Sequence, residues 1–76
     1  MNQQETALQL IAELSGVERG TLSSEMELVA ELGLDSPKAF QLIVELEERL
    51  GIEIGDEDAA AMHTVGDILD YIGRRV

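Results

Sequence analysis

Apolar residues recur at helical spacing along this chain, and that spacing restricts its fold more than any other feature. Near the C-terminus they fall at positions i, i+3, i+4, i+7 and i+11, a single stripe on a helix: Val65, Ile68, Leu69, Ile72 and Val76. Thr64 and Asp67 have the spacing of a capping box, with Asp in place of the usual Glu or Gln. Because an apolar stripe must be buried against another element, the chain is predicted to fold as packed helices.

The N-terminal segment has the same spacing. Its stripe predicts a helix over Gln3–Ser15 and is formed by Ala7, Leu10, Ile11 and Leu14. Gly16 follows as a suitable C-terminal stop.

A second long helix is predicted from Ser36 to Gly51. Ser36 is a favoured N-cap residue, and Pro37 would then occupy the first helical position, where its missing N–H costs nothing. The apolar face of this helix is predicted to contain Phe40, Ile43, Val44 and Leu50, with Leu46 on its flank.

The remaining segments are shorter or less periodic. Residues 56–62 indicate a short helix that begins with acidic residues, where the helix dipole favours them, and residues 52–55 an extended connector. Residues 16–35 form a long loop with one helical turn near residues 27–31, since a structureless loop of this length is unusual in a compact domain. Five apolar residues are expected to pin it: Val17, Leu22, Leu28, Leu32 and Leu34.

Together these elements predict an all-α fold, a small four-helix bundle of three main helices and one short helix with a long first loop. Its 76 residues suffice for a single domain, 1–76, with one core. We expect a discrete protein, because the chain starts with Met1 and has no flanking linker. The N-terminus lacks a basic region before its apolar residues and no apolar run could span a bilayer, so the expected location is the cytoplasm without membrane insertion.

The charge excludes several functions. With 16 acidic and 5 basic residues the formal charge is −11, which argues against binding to nucleic acid or to an anionic membrane and favours basic partners.

The absence of cysteine excludes disulfides and thiolate chemistry, and His63 alone makes no metal site. A hydrolase with Ser36, His63 and an Asp would need a nucleophile elbow, which the chain lacks. A calcium loop starting at Asp56 fails because its sixth position is Ala61 instead of glycine.

The most informative motif is LGLDS at residues 32–36. It places a serine hydroxyl at a junction between a loop and a helix, close to backbone N–H groups and the positive end of the helix dipole. A phosphate esterified to Ser36 would be stabilised at that helix end. On these residues alone a plain N-cap remains the simpler interpretation, because serine is among the commonest caps.

LGLDS resembles the LG-x-DS motif of the acyl carrier protein family. The resemblance continues in register without gaps over residues 35–72 and includes Leu42, Leu46-Glu47-Glu48, Ile52-Glu53-Ile54, Asp56-Glu57, Thr64-Val65 and Asp70-Tyr71-Ile72. It implies that Ser36 receives a 4′-phosphopantetheine arm from coenzyme A through a magnesium-dependent phosphopantetheinyl transferase, and that Asp35 helps to position the metal and the donor. The protein would then be no enzyme, since the thiol of the arm carries acyl groups as thioesters.

The resemblance also implies two surfaces. Glu45, Glu47 and Glu48 would dock a monomeric carrier onto basic patches of acyl-transfer and chain-elongation enzymes. Pro37, Lys38 and Gln41 on the same helix belong to this predicted docking surface. Acyl cargo would be sheltered by Phe40, Ile43, Val44, Ile54, Ile68 and Leu69.

The chain departs from the family pattern within the docking helix. Pro37 replaces the usual Leu, Lys38 and Gln41 replace residues that are often acidic, and Val44 replaces a frequent Met. These changes remove negative charge from the first turns of the docking helix. We therefore hypothesise a specialised carrier for fatty-acid, polyketide or related lipid biosynthesis instead of the general fatty-acid carrier of its cell.

Two alternatives remain open. The chain could be an acidic helical interaction subunit that is never pantetheinylated, or a carrier of amino acids or aryl acids. The mass of the protein after incubation with coenzyme A and a transferase separates the first alternative from a carrier.

Overall fold

The long first loop joins two of the helices in a bundle that is otherwise connected by short segments. The computed structural model describes residues 2–75, with the side chains of residues 2–74. These residues form four helices: α1 (Gln3–Ser15), α2 (Ser36–Leu50), α3 (Asp56–Ala60) and α4 (Val65–Arg75). A short 3-10 helix at Arg19–Thr21 lies in the loop between α1 and α2. The described residues contain no strand; an isolated β-bridge pairs Glu27 with Thr64. The predicted all-α bundle is confirmed.

The apolar stripe of α1 faces the centre of the bundle. Ala7, Leu10 and Ile11 are buried and Leu14 is partly buried, as predicted, and α1 packs against both α2 and α4. The described core contains Ala7, Leu10, Ile11, Leu28, Leu32, Leu34, Leu42, Leu46, Ile54, Val65, Ile68, Tyr71 and Ile72. Full burial of a side chain of leucine size stabilises the fold by about 1.5–3 kcal/mol, so this cluster supplies the main favourable contribution. Within residues 2–75, no helix has the length and apolar content needed to cross a membrane.

The long loop is held by the five apolar residues predicted to pin it. Leu28, Leu32 and Leu34 are buried, while Val17 and Leu22 are partly buried. The predicted turn is present, because the Glu31 N–H donates to the Glu27 carbonyl at 3.0 Å. It is a single turn and not a helix, and the 3-10 turn at Arg19–Thr21 was not predicted.

Backbone hydrogen bonds join this loop to the start of α4. The N–H groups of Val65 and Gly66 donate to the carbonyls of Met26 and Ser24 at 3.0 and 2.9 Å. A helix leaves its first N–H groups without intrahelical partners, and here the loop satisfies two of them. The approach favours glycine, since a Cβ atom at Gly66 would lie 3.0 Å from the Ser24 carbonyl oxygen, closer than an ordinary van der Waals contact.

A capping box completes the start of α4, as predicted. Thr64 Oγ1 accepts from the Asp67 N–H at 3.1 Å. Asp67 Oδ2 accepts in return from the N–H groups of His63 and Thr64, at 2.9 and 3.1 Å. These two N–H groups, that of His63 first, lower the pKa of Asp67 below its ordinary value because they stabilise the charged carboxylate.

The capping box gives a pH-dependent stability. The pKa of Asp67 is lower in the folded state than in the unfolded state. The Asp67 carboxylate therefore contributes its full stabilisation above the unfolded-state pKa of about 3.9. This stabilisation is lost as the pH falls through the lower folded-state pKa. Asp67→Asn should therefore reduce the free energy of unfolding by about 1 kcal/mol at pH 7 and by progressively less below about pH 4. Urea unfolding at pH 7, 5 and 3 measures this, with Asp70→Asn, an exposed carboxylate on the same helix, as the control. A loss in Asp67→Asn that is the same at every pH would contradict the assignment.

The start of α2 differs from the prediction by one residue. The N-cap is Asp35 and not Ser36, because the Asp35 Oδ1 accepts from the Lys38 N–H at 3.1 Å. Ser36 is thus the first helical residue and Pro37 the second. A proline is tolerated there because the N–H of the second position also lacks an intrahelical partner.

The predicted apolar face of α2 is only in part its buried face. Leu42 and Leu46 are buried, Ile43 and Leu50 are partly buried against the core, and Phe40 is 71% exposed. The prediction was wrong for Phe40 and missed Leu42, because α2 has apolar residues on two adjoining faces and periodicity alone does not show which of them is buried. In addition, α3 ends at Ala60 and not at residue 62. The predicted α4 position Val76 lies outside the described residues.

Candidate functional site

The motif LGLDS fixes the position of Ser36 by means of two buried leucines and a glycine turn between them. Leu32 and Leu34 are buried in the core, and Gly33 between them has a φ of 68°, a left-handed value that glycine adopts without strain. The Leu34 N–H donates to the Leu28 carbonyl at 3.0 Å. The chain then turns into α2, and Ser36 is exposed at its first position.

The positive electrostatic environment of Ser36 comes from the N-terminal end of the α2 dipole more than from backbone N–H groups that are free to donate. The Lys38 N–H is occupied by the Asp35 side chain, the Ala39 N–H donates to the Asp35 carbonyl at 2.8 Å, and Pro37 has no N–H. The first turn of α2 contains no acidic residue and includes Lys38. An anion on the Ser36 oxygen would gain roughly 0.3–1 kcal/mol from the helix dipole. The residues present therefore fit a phosphate ester at this position.

One face of α2 leads from Ser36 into a cleft. Residues three and four apart are neighbours on a helix surface, so Ser36 is followed on its face by Phe40, then by Ile43 and Val44, then by Glu47. The cleft has a volume of about 360 Å³. It is lined by Ala39, Phe40, Ile43, Val44, Glu47, Ile54, Asp56, Ala59 and Ala60.

Four of the six residues predicted to shelter cargo lie together around this cleft: Phe40, Ile43, Val44 and Ile54. The other two are elsewhere. Ile68 is fully buried in the core, and Leu69 is partly buried with its carbonyl accepting from Gln4 Nε2 at 3.1 Å. The sequence analysis missed Ala39, Glu47, Asp56, Ala59 and Ala60 as lining residues. Helical spacing counted from Ser36 would have found the α2 members of this set.

The residues predicted to dock partners do not form one uniform surface. Pro37, Lys38, Gln41 and Glu48 are exposed. Glu45 is half-buried and lies 3.7 Å from an Arg49 nitrogen. Glu47 is directed across the cleft, where its Oε2 accepts from the Ile54 N–H at 2.9 Å.

Among the described residues, no three His, Asp or Glu side chains come together as a metal site.

Comparison with known proteins is consistent with this geometry. A family model described as the phosphopantetheine attachment site matches residues 5–72. Among solved structures, the chain is similar to one described as an acyl carrier protein (Rv0033) from Mycobacterium tuberculosis, with 35% identity and a TM-score of 0.90. The alignment covers 99% of this chain and 100% of the other.

Proposed function

The chain belongs to the acyl carrier protein family, and we propose that Ser36 is the residue that bears its 4′-phosphopantetheine arm. The protein is a carrier and not an enzyme. When bound, this covalent cofactor supplies a terminal thiol that holds acyl groups as thioesters. The observation that carries the proposal is the exposed Ser36 hydroxyl at the first residue of α2, held there by the Asp35 cap.

Attachment requires the Ser36 oxygen as a nucleophile. Ser36 Oγ forms a phosphoester bond to the coenzyme A phosphorus that carries pantetheine, and its proton passes to a base of the transferase. The bond between the two phosphates breaks, and adenosine 3′,5′-bisphosphate leaves. Asp35 is proposed to help position the metal and the donor, because its carboxylate belongs to the adjacent residue and is exposed.

Docking to partner enzymes is proposed to use the outer surface of α2. Glu45 and Glu48 would meet basic patches on acyl-transfer and chain-elongation enzymes, with Pro37, Lys38 and Gln41 nearer the arm. The net charge of −11 supports this, since complementary fields speed encounter with basic surfaces. We further propose that the protein acts in the cytoplasm as a monomeric single domain.

The test of the carrier function is the intact mass of the protein after incubation with coenzyme A, magnesium and a broad-specificity phosphopantetheinyl transferase. We expect a gain equal to one phosphopantetheine group, located by fragmentation to the peptide containing Ser36. An unchanged mass with several transferases would leave the acidic interaction subunit as the better interpretation.

A specialised pathway for fatty acids, polyketides or related lipids is supported by the first turns of α2. Lys38 and Gln41 are exposed there and no acidic residue lies in the first turn, which weakens attraction to a basic docking patch at this end. The pantetheinylated protein should therefore be a poor substrate for the housekeeping ketosynthases of its host, measured as extended acyl products by mass. Efficient full-length extension would contradict this proposal.

A further inference from the structure

We propose that α2 docks onto partner enzymes of mixed charge, in which a carboxylate faces Lys38 and basic residues face Glu45 and Glu48. The proposal rests on the proposed function, because it requires enzymes that act on an arm tethered at Ser36. It adds the kind of partner, an acyl-transfer or chain-elongation enzyme whose docking surface is negative where it meets the start of α2.

Four residues of α2 form one outer stripe. Their spacing of three, four and three positions places them in a row on one face of the helix: Lys38, Gln41, Glu45 and Glu48. Lys38, Gln41 and Glu48 are exposed and Glu45 is half-buried. The outer stripe is therefore open to a partner along its whole length.

The charge of the outer stripe changes sign along the helix. It begins with a cation, continues with a neutral amide and ends with two carboxylates. Arg49 lies 3.7 Å from Glu45 and offsets part of its charge, so Glu48 supplies most of the exposed negative charge. The ten positions from Lys38 to Glu48 correspond to about 15 Å along the helix axis. A complementary surface needs an acidic and a basic group at about this separation.

Lys38 contributes little to the isolated protein. It is the only lysine in the chain, and it forms no ion pair with any residue that the structure describes. By contrast, Arg19 and Arg49 each lie within 3.8 Å of a glutamate carboxylate. The positive end of the α2 dipole also lies at this turn and disfavours a cation. A charge that the fold does not use, two residues after Ser36, is available for recognition of a partner.

This arrangement selects partners by repulsion as well as by attraction. A uniformly basic patch would attract Glu48 but would place a positive charge against Lys38. A surface with a carboxylate at that place would gain an ion pair and avoid the repulsion. The change of sign also fixes the direction in which α2 lies on the partner, because the reversed direction brings like charges together at both ends.

The first experiment compares two enzymes. The transferase loads the protein with acyl-pantetheine, and intact mass verifies loading; a failure at this step would overturn the proposed function. The loaded protein is then assayed with the purified acyl-transfer and chain-elongation enzymes of its host. The enzyme with the highest kcat/KM, the preferred enzyme, is compared with the housekeeping ketosynthase. Lys38→Glu should lower kcat/KM about 3–10-fold with the preferred enzyme and raise it with the ketosynthase.

The matched control is Arg74→Glu. It makes the same change in net charge at an exposed residue of α4, outside the outer stripe. It should change either kcat/KM by less than about twofold, because a distant charge is screened by salt. Lys38→Gln should leave Tm within about 2 °C of the unchanged protein, which shows that the fold does not depend on the cation.

The single lysine allows a direct test of the contact. A water-soluble carbodiimide couples an amine to a carboxylate that touches it, and Lys38 supplies the only side-chain amine of the chain. With the preferred enzyme we expect an amide bond between Lys38 and an Asp or Glu of the enzyme. A second bond should join Glu48 to a lysine of the enzyme, and fragmentation of the cross-linked peptides locates both.

Three results would overturn the inference once loading has been verified, and each of them leaves the carrier function intact. Lys38→Glu could raise kcat/KM with the preferred enzyme, which would mean that Lys38 meets a basic patch. Lys38→Glu and Arg74→Glu could act alike, which would assign the effect to net charge. Cross-links could form through Glu48 and not through Lys38, which would show that no carboxylate of the partner faces Lys38.

Discussion

Ser36→Ala should abolish the mass gain that coenzyme A and a transferase produce. The alanine has no oxygen to form the phosphoester bond, so the expected effect is complete loss of modification. The fold should remain intact, because Asp35 and not Ser36 supplies the cap of α2. Alanine is also a better helix former than serine. Loss of modification in a variant with an unchanged Tm would therefore locate the attachment to this oxygen.

The matched control is Ser23→Ala, which removes the hydroxyl of another exposed serine, in the loop that precedes α2. It should gain mass as the unchanged protein does. Modification that persists in Ser36→Ala and disappears in Ser23→Ala would contradict the proposed site. Asp35→Asn in the same assay keeps a side chain suited to capping and removes its charge, so slower loading with an unchanged Tm would support a role for the carboxylate in the transfer.

Ile72→Ala should give a large loss of stability. Ile72 is 1% exposed in the core, and replacing a buried isoleucine by alanine costs about 2–5 kcal/mol through lost burial and the cavity left behind. A domain of this size has a total stability of roughly 4–11 kcal/mol. The variant would thus lose a large share of it, and part of the population would unfold near physiological temperature.

Urea unfolding followed by far-UV circular dichroism measures this loss. Val29→Ala is the control, because Val29 is 67% exposed and its truncation should change the free energy of unfolding by less than about 0.5 kcal/mol. Equal effects in the two variants would mean that the core position assigned to Ile72 on α4 is incorrect.

Helix existence and most boundaries were predictable because the apolar spacing and the stop glycines are local signals. α1 has the predicted bounds, α2 ends before Gly51, and the capping box at Thr64 and Asp67 is present. Ile72 was predicted as a core residue, since its stripe is the only apolar face that α4 offers among the described residues.

Contacts that residue propensity does not specify decided the features that were missed. Both Asp35 and Ser36 are good caps by propensity, and the hydrogen bond to Lys38 settles which of them acts. Glu47 carries the same charge as Glu48, yet its contact with Ile54 depends on the course of the connector before α3. No local pattern in the sequence specifies that course.

The hydrogen bonds from Val65 and Gly66 to the loop have a consequence for the timing of synthesis. The loop that leads into Ser36 is held by residues about 40 positions later in the chain, so the residues that precede Ser36 do not supply these partners themselves. During translation the ribosome releases Val65 and Gly66 well after Ser36. If Ser36 bears the arm, as proposed, a transferase would meet it in its folded setting only after residues 65 and 66 have emerged.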